Sequence, residues 1–475
     1  MSRPLTVAAI LLSMFLSAME ATVVSTAMPT VIAELHGIEL YGWVGAIYML
    51  ATTVTIPIWG KLADVVGRKP IMLVGLFVFL VGSVGSGFAH SMLSLVALRA
   101  VQGAGAGALQ PVALTIIGDL FTVEERGKMQ GAFGAVWGVA GMIGPLVGGF
   151  VVSVASWRWV FFLNLPFGLL SALLLALFYR EKREGTEGPR RSVDVVGALL
   201  LSSAVLSLLL GVGGRHSLVT LPLAGALLAA LVVCERRARD PLVPLTLLAR
   251  PIMRVASVLG ALMGAVMMGV LMYIPLYVQA VLHGSATEAG TSVAPMLVGW
   301  PLASAVSGRL LGRVGYRPLV RGGFALIAVS SVALVFALSR GASALRPTTF
   351  FLGTGMGLAN TPLLIAVQQS VAQRDRGVAT ASTMFFRTIG GALAVGALGA
   401  LVAALLAGKI PDHVLDDLLG PERGKGLGAA LLAQYEGAID VAIRPVFVLV
   451  AIAAALALGA AFAFPKVVAE GEASR

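Results

Sequence analysis

The chain has 475 residues, of which 58% are hydrophobic and 12% are charged. Soluble domains carry about 25% charged residues, so this composition excludes a soluble protein. The net charge of +11 could indicate a polyanionic partner, but the placement of the basic residues points to membrane topology instead. Cys234 is the only cysteine, which excludes an internal disulfide.

Apolar stretches long enough to cross a bilayer occur along the whole chain, since a spanning helix needs about 20 predominantly apolar residues. The first stretch also resembles a signal sequence, but it is long enough to span, so we expect it to be retained. The hydropathy pattern predicts fourteen spans, at about 5–28, 41–60, 70–89, 92–119, 127–154, 159–180, 193–213, 218–235, 252–281, 287–311, 319–339, 345–371, 377–408 and 444–465.

The basic residues support this number of spans. With the N-terminus placed inside, 24 of the 34 Lys and Arg residues fall in inside loops and 8 in outside loops, while Arg99 and Arg387 remain within spans. An excess on one side is the positive-inside rule of membrane proteins. We therefore expect a multi-pass protein in the lipid bilayer with both termini cytoplasmic, and no nucleic-acid partner.

Two stretches recur after about 250 residues, which indicates an internal repeat. Gly60–Pro70 reads GKLADVVGRKP, and its copy, Gly308–Pro318, reads GRLLGRVGYRP, with Gly312 in place of Asp64. A second set of glycines recurs at nearly the same interval: Gly103, Gly105 and Gly107 as Gly353, Gly355 and Gly357. We expect six-helix bundles at 1–180 and 252–475, a linker with two extra helices at 181–251, and an outside loop at 409–443.

Glu20 is the only carboxylate well inside a predicted span, and Arg99 lies in the fourth span. A helical rise of ~1.5 Å per residue places both side chains at a similar depth, roughly 10 Å from the outer surface. An acid buried in a membrane is costly and is usually functional. Burial disfavours its charged form whereas Arg99 favours it, so we predict a proton-coupling site that also includes Gln102. The alternative is a structural ion pair that holds two helices together.

The fifth span carries small residues every three or four positions. Its motif comprises Gly141, Gly144, Pro145, Gly148 and Gly149. Small residues let helices approach closely, and a proline bends a span, so the pattern alone is typical of ordinary membrane packing.

Together these motifs resemble the major facilitator superfamily along the whole chain. Gly60–Pro70 is similar to its loop-2/3 signature, Arg99–Gly103 to its fourth-span motif, and Gly141–Gly149 to its antiporter motif. Glu20–Pro29 and Trp157–Pro166 resemble the fourteen-span drug:proton antiporter branch. The resemblance implies an all-α polytopic membrane protein of the major facilitator fold, with two six-helix bundles plus two inserted helices, in the bacterial cell (inner) membrane.

The chain departs from this branch at two positions. The branch usually has Asp where this chain has Glu20, and Asn where it has Ser25. The longer acid still carries a proton, but the geometry of the cavity, and therefore the cargo, can differ.

The resemblance also implies a cytoplasmic charge relay, which we call the latch. Its residues are Gly60, Asp64, Gly67, Arg68 and Asp119. In the family the matching residues brace the outward-open state, and a carboxylate near a helix N-terminus is stabilised by the exposed amides. The alternative is a loop that serves topology alone.

Cargo contacts are predicted from midspan side chains. Trp137 and Trp300 lie near midspan, and Met267 and Tyr273 lie on a helical stripe of methionines and tyrosines, which can equally be packing. Arg387 could pair with a substrate anion, bind backbone carbonyls, or reach the inner surface by snorkelling.

The sequence predicts a transporter rather than an enzyme. It contains no GxxxxGK[ST] phosphate loop, so we expect a proton gradient, not ATP, as the energy source, with no cofactor and no metal. The predicted function is monomeric, proton-coupled multidrug efflux of hydrophobic or cationic small molecules by alternating access. The alternatives are an exporter of lipids or a dedicated metabolite, and a non-transporting membrane sensor or scaffold.

Overall fold

The computed structural model describes residues 3–35, 40–181, 194–213, 217–238, 240–242, 244–407 and 429–466. Within these ranges the chain forms sixteen α-helices and two short 3₁₀ turns. The helices are α1 Arg3–Leu35, α2 Tyr41–Val66, α3 Arg68–Gly87, α4 Met92–Leu120, α5 Val123–Val154, α6 Trp159–Phe162, α7 Asn164–Phe178, α8 Val195–Gly213, α9 Ser217–Arg237, α10 Leu245–Leu248, α11 Pro251–Ala280, α12 Ala286–Val314, α13 Tyr316–Ala337, α14 Ala342–Gln369, α15 Arg376–Leu406 and α16 Ala429–Phe462.

Most of these helices are long and apolar enough to cross a membrane. Thirteen segments of the described residues meet this description, and they coincide with thirteen of the fourteen predicted spans. The remaining prediction, over 127–154, coincides with α5. The predicted all-α multi-pass fold class is therefore confirmed.

Part of the predicted outside loop 409–443 is helical. α16 covers Ala429–Phe462, and its part Gly437–Phe462 is long and apolar enough to cross a membrane, so Arg444 lies within a helix. Arg444 was placed outside the membrane because of its charge. It forms an ion pair of 2.7 Å with Asp440, one helical turn earlier, and such a pair lets two charges enter a helix that otherwise reads as apolar.

Residue contacts divide the chain into two compact units. The first comprises Met1–Leu206, Ala224–Arg250 and Val367–Phe385. The second comprises Ser207–Leu223, Pro251–Ala366 and Phe386–Arg475, so α15 begins in the first unit and continues in the second. The predicted bundle boundaries at residues 180 and 251 stay a prediction.

In the first unit, the glycines of α4 bring its backbone against two neighbouring helices. A Cβ atom at Gly103 would collide with the carbonyl oxygen of Tyr48 on α2, and one at Gly105 would collide with the amide nitrogen of Phe79 on α3. Such close approach gives helices in lipid their van der Waals contact. The sequence of α4 therefore fixes the packing of α2 and α3.

The second unit repeats this arrangement with the matching glycines of α14. A Cβ atom at Gly353 would collide with the carbonyl oxygen of Met296 on α12, and one at Gly355 would meet the carbonyl oxygen of Gly323 on α13 at 2.7 Å. The glycine repeat in the sequence thus corresponds to a repeated three-helix contact.

Candidate functional site

Glu20 lies near the middle of α1 and is only 2% exposed. One carboxylate oxygen, Oε1, is paired with Nη1 of Arg99, which is equally buried on α4. The other, Oε2, accepts a hydrogen bond of 2.6 Å from Nδ2 of Asn164 at the start of α7. The structure therefore brings together Glu20 and Arg99, as the sequence predicted. It also adds α7 to the site, through Asn164.

Arg99 has other partners besides Glu20. Its Nη1 donates to Oε1 of Gln102 at 2.7 Å, so the predicted participation of Gln102 has a geometric basis. Its Nε donates to the carbonyl oxygen of Val44 at 3.3 Å, and its guanidinium lies 4.3 Å from the ring centroid of Tyr48. A cation over an aromatic face is stabilised by the ring quadrupole. The arginine is thus held by a carboxylate, an amide, a carbonyl and an aromatic ring.

Sequence reasoning missed the role of Asn164 and Ser83. Nδ2 of Asn164 also donates to Oγ of Ser83 at 2.9 Å, and Ser83 donates to the carbonyl oxygen of Phe161 at 2.8 Å. The available signal was a lone asparagine in the apolar run WVFFLNLPFGLL. A buried amide in such a run requires partners, which indicates a polar network.

Two buried side-chain amide atoms of this network form no hydrogen bond with the residues that the structure describes. They are Nε2 of Gln102, a donor, and Oδ1 of Asn164, an acceptor. Buried polar groups are normally satisfied, so these two atoms give the network capacity for a second arrangement of its hydrogen bonds.

At the other end of the first unit, the latch surrounds the first turn of α15. Asp64 on α2 accepts hydrogen bonds from the backbone N–H groups of Gly377 at 2.9 Å and Val378 at 2.7 Å. These are exposed amides of a helix N-terminus, where a carboxylate is favoured. A Cβ atom at Gly60 would collide with Ala381, so this glycine lets α2 and α15 approach.

Arg68 joins three acids and the segment that precedes α15. It lies 3.1 Å from Asp64, 3.2 Å from Asp119 and 3.9 Å from Glu181, measured between charged atoms. Its Nη2 also donates to the carbonyl oxygen of Gln373 at 2.7 Å. Asp119 is paired in turn with Arg376 at 3.1 Å. The structure therefore brings together all the predicted charged residues of the latch.

Glu181, just after α7, is a latch contact that the sequence did not reveal. Its carboxylate accepts from the backbone N–H groups of Arg68 at 2.7 Å and Lys69 at 3.3 Å, which caps the N-terminus of α3. Gly67 precedes this turn with φ +116°, and a Cβ atom there would lie 2.7 Å from Oε2 of Glu181. The glycine of the motif is thus required both by its backbone conformation and by the capping carboxylate.

A second polar cluster lies at the end of α1 that is remote from the latch. Glu34 accepts from Nε1 of the fully buried Trp157 at 2.7 Å and is paired with Arg158. Arg158 also donates to the carbonyl oxygen of Ala89 at 3.2 Å. The hydrogen bonds from Arg158 and Trp157 lower the pKa of Glu34. This cluster ties the end of α1 to the turn between α5 and α6.

The antiporter motif lies on α5, which packs along α1. Gly144 and Gly148 are buried, Gly141 is partly buried, and Gly149 is exposed. The side chain of Pro145 lies outside the described residues, so the predicted bend stays a prediction. Gly144 and Gly148 are the positions of this motif that contribute to helix packing.

The predicted cargo residues are dispersed. Trp137 packs against the core of the first unit, while the second unit holds Met267, Tyr273, Trp300 and Arg387. Tyr273 is buried beside Gly399 of α15, which is a packing environment. Arg387 donates to Oδ1 of Asn360 at 3.4 Å. Their role in cargo binding stays a prediction.

An open cavity of about 530 Å³ lies elsewhere, at one end of the extra helices α8 and α9. Its lining includes Asp194, Cys234 and Arg237. Among the described residues no group of three or more His, Cys, Asp and Glu side chains is placed to hold a metal ion.

The membrane-spanning helices, the repeated three-helix contact and the buried acid–base network define a multi-pass helical membrane protein. A family model described as Major Facilitator Superfamily matches residues 10–395, and the chain belongs to that superfamily. This is a family of transporters rather than enzymes. The family resemblance predicted from the sequence motifs is confirmed.

Two relatives from Bacillus subtilis (strain 168) cover most of the chain. Multidrug transporter protein MdtP is 33% identical over 451 residues, covering 92% of this chain and 82% of that protein. Multidrug resistance protein 3 is 34% identical over 436 residues, covering 89% and 83%. Among solved structures, the human organic anion transporter MFSD10 (TETRAN) has a TM-score of 0.64 at 15% identity, covering 96% of this chain and 100% of that chain, and it shows the fold alone.

Proposed function

We propose that this transporter is a proton-coupled antiporter that exports hydrophobic or amphipathic small molecules from a bacterial cell across the inner membrane. The observation that carries the proposal is the Glu20–Arg99 pair, which is buried between α1 and α4 and shares a network of side-chain amides. Gln102 and Asn164 each have one amide atom without a partner among the described residues, and these atoms can form hydrogen bonds when Glu20 changes its charge. The relatives named Multidrug transporter protein MdtP and Multidrug resistance protein 3 support drug-like small molecules as its cargo.

Glu20 would be the group that takes up and releases the proton. When it is protonated, its charge is lost and its O–H needs an acceptor. The free Oδ1 of Asn164 belongs to the amide that already contacts Glu20, so a rotation of this amide supplies that acceptor. The protonated acid is then satisfied without a large movement of α1 or α7.

Arg99 must also remain satisfied when Glu20 becomes neutral, because an unpaired cation in a membrane is costly. Gln102, the carbonyl oxygen of Val44 and the ring of Tyr48 already surround its guanidinium. These neutral groups hold the arginine in place during the half of the cycle in which Glu20 carries a proton. Cargo binding and proton binding can then alternate at a site that keeps its shape.

The latch would make this exchange depend on conformation. Asp64 and Arg68 hold the first turn of α15, and α15 continues into the second unit. Release of that turn frees the helix to move. Alternating access must break and remake contacts of this kind. We therefore assign the latch to stabilising one of the two states of the cycle.

Proton release by purified, detergent-solubilised protein tests the proposal. Three fluorescent probes, ethidium, 1-pyrenebutanol and 1-pyrenebutyrate, supply a cation, a neutral molecule and an anion in weakly buffered solution with a pH indicator. At least one probe should release protons from the wild type and none from Glu20→Gln, while Glu34→Gln, which changes an acid at the end of the same helix, should keep the signal. A proton signal that persists in Glu20→Gln, or its absence with every probe in the wild type, would refute the coupling.

A further inference from the structure

Arg387 occupies the membrane interior of the second unit. It lies eleven residues after the start of α15 at Arg376, which is ~16 Å along the helix and about half of the hydrocarbon thickness. Asn360, its hydrogen-bond partner, lies nine residues before the end of α14 at Gln369, at ~14 Å from that end. Both side chains are therefore near the midplane.

The side chain lies inside the unit rather than against lipid. Behind it, a Cβ atom at Gly264 would collide with the carbonyl oxygen of Arg387, so the backbones of α11 and α15 touch at this level. In front of it stands Asn360 of α14, which is only 9% exposed. Arg387 itself is only partly buried between these helices.

No carboxylate of the described residues pairs with this arginine. From Pro251 to Ala407 there are two acidic residues. Glu288 caps the first turn of α12 by accepting from the N–H of Ser285 at 2.9 Å, and Asp375 precedes α15 and lies 3.8 Å from Arg374. Asp440 of α16 is bound to Arg444 at 2.7 Å. None of these three acids is paired with Arg387.

The guanidinium therefore has unused donors. Its Nη1 contacts Asn360, while its Nε and Nη2 form no hydrogen bond with the described part of the chain. An unpaired cation in a membrane is retained only where it faces a partner or a functional cavity. A guanidinium presents its donors as a planar fork that matches a carboxylate or phosphate in two parallel hydrogen bonds.

We propose that Arg387, positioned by Asn360, binds an anionic group of the exported molecule. The cargo is then an amphipathic anion, with an apolar body that lies against the helices and a carboxylate, or a group of similar geometry, at the midplane. This assignment rests on the proposed export function and narrows its cargo, because a hydrophobic cation would have to lie beside an uncompensated positive charge.

A matched pair of probes separates charge from hydrophobicity. We would measure binding of 1-pyrenebutyrate and 1-pyrenebutanol, which share the same apolar body, to the full-length protein in lipid nanodiscs, with empty nanodiscs as the blank. The wild type should prefer the butyrate by roughly tenfold or more, as expected for a hydrogen-bonded charge pair. Arg387→Gln should remove this preference and leave butanol binding unchanged, and Arg387→Lys should retain part of it.

Two further variants keep the test decisive. Asn360→Asp places a carboxylate beside Arg387 and should abolish the butyrate preference while preserving the fold, even if Arg387→Gln proves unstable. Arg313→Gln removes an exposed cation at the end of α12 and should change nothing. Equal affinity of the wild type for both probes, or a butyrate preference that survives in Arg387→Gln or Asn360→Asp, overturns the assignment.

The outcome is independent of proton coupling. Glu20→Gln should keep the butyrate preference, because Glu20 and Arg387 belong to different units of the chain. A lost proton signal with an intact butyrate preference would therefore count against the antiport mechanism alone.

Discussion

Replacing Asp64 with Asn should loosen the first turn of α15. The carboxylate accepts from two backbone N–H groups, those of Gly377 and Val378, and pairs with Arg68. Hydrogen bonds to a charged group contribute about 1.5–3 kcal/mol each, and neutral ones about 0.5–1.5 kcal/mol. Asparagine keeps one acceptor oxygen and places an N–H₂ group against the second amide, so one bond weakens and the other is lost.

The expected net loss is about 2–4 kcal/mol after the retained neutral bond is counted. Since 1.4 kcal/mol corresponds to a factor of ten, the population with this turn released should rise roughly thirtyfold to several hundredfold. A change of this size in the opened population can be measured as the rate at which a reagent reaches a buried position.

A buried alanine of α15 provides the reporter. In a Cys234→Ser background, Ala379→Cys places the only thiol at a position with no exposed surface next to the latch. Its rate of reaction with N-ethylmaleimide follows the population of the opened state when opening and closing are fast. Adding Asp64→Asn should raise this rate by at least tenfold.

The control is the same substitution at a neighbouring acid. Asp375 precedes α15 and lies 3.8 Å from the exposed Arg374, a surface pair of little energetic value. Asp375→Asn should leave the labelling rate within about threefold of the parent. A rate in Asp64→Asn that matches this control would refute the idea that the Asp64 carboxylate holds the helix.

Two further predictions concern the polar caps of the first unit. Glu181→Ala should lower the free energy of unfolding by about 1–3 kcal/mol, measured by thermal denaturation, because two amides at the start of α3 lose their acceptor; an unchanged melting temperature would show that water replaces the cap. Glu34→Gln should destabilise the protein at neutral pH and have no effect in acid: because the pKa of Glu34 is lowered in the folded state, its contribution is present above its ordinary pKa of 4.5 and is lost as the pH falls through the folded value. A melting-temperature difference that stays constant from neutral to acidic pH would contradict this assignment.

The sequence predicted the buried pair because charges in apolar runs are few and expensive. Glu20 and Arg99 stand out against hydrocarbon, and the regular helical rise places them at the same depth. Asn164 did not stand out, because burying a neutral amide costs less free energy than burying a charge. Many neighbouring groups could also have formed its hydrogen bonds. Its contact with Glu20 depends on how α7 is placed relative to α1, which no single span reveals.

The latch could be predicted only in part for a similar reason. Asp64 and Arg68 belong to a motif with fixed spacing, and the family resemblance implies Asp119. Glu181 instead belongs to a charged stretch in which every residue looks equally solvated. The predicted start of the last span at residue 444 falls inside α16, where Arg444 and Asp440 satisfy each other one turn apart. Hydropathy counts each of these charges as if it stood alone.

The two copies of the repeated loop show which part of the motif builds the scaffold. Gly67 and Gly315 both have positive φ values, 116° and 81°, at matching positions. The next matching basic residues, Lys69 and Arg317, donate 2.7 Å hydrogen bonds to the carbonyl oxygen of Ala176 in the last turn of α7 and to that of Phe464 just after α16. Cations are favoured at such ends, so both halves use the loop to hold their last helix.

The acid is what distinguishes the halves. Gly312 stands where Asp64 would be, and a Cβ atom at Gly312 would meet no atom within 4 Å, so space alone does not exclude a side chain there. The second copy therefore keeps the turn and the helix cap but has no carboxylate to receive helix amides. If the acid served only the local fold, the duplicated turn would need it too. The presence of this acid in a single copy favours the interpretation that Asp64 acts on α15. One such contact is sufficient to hold that helix, which continues into the other unit.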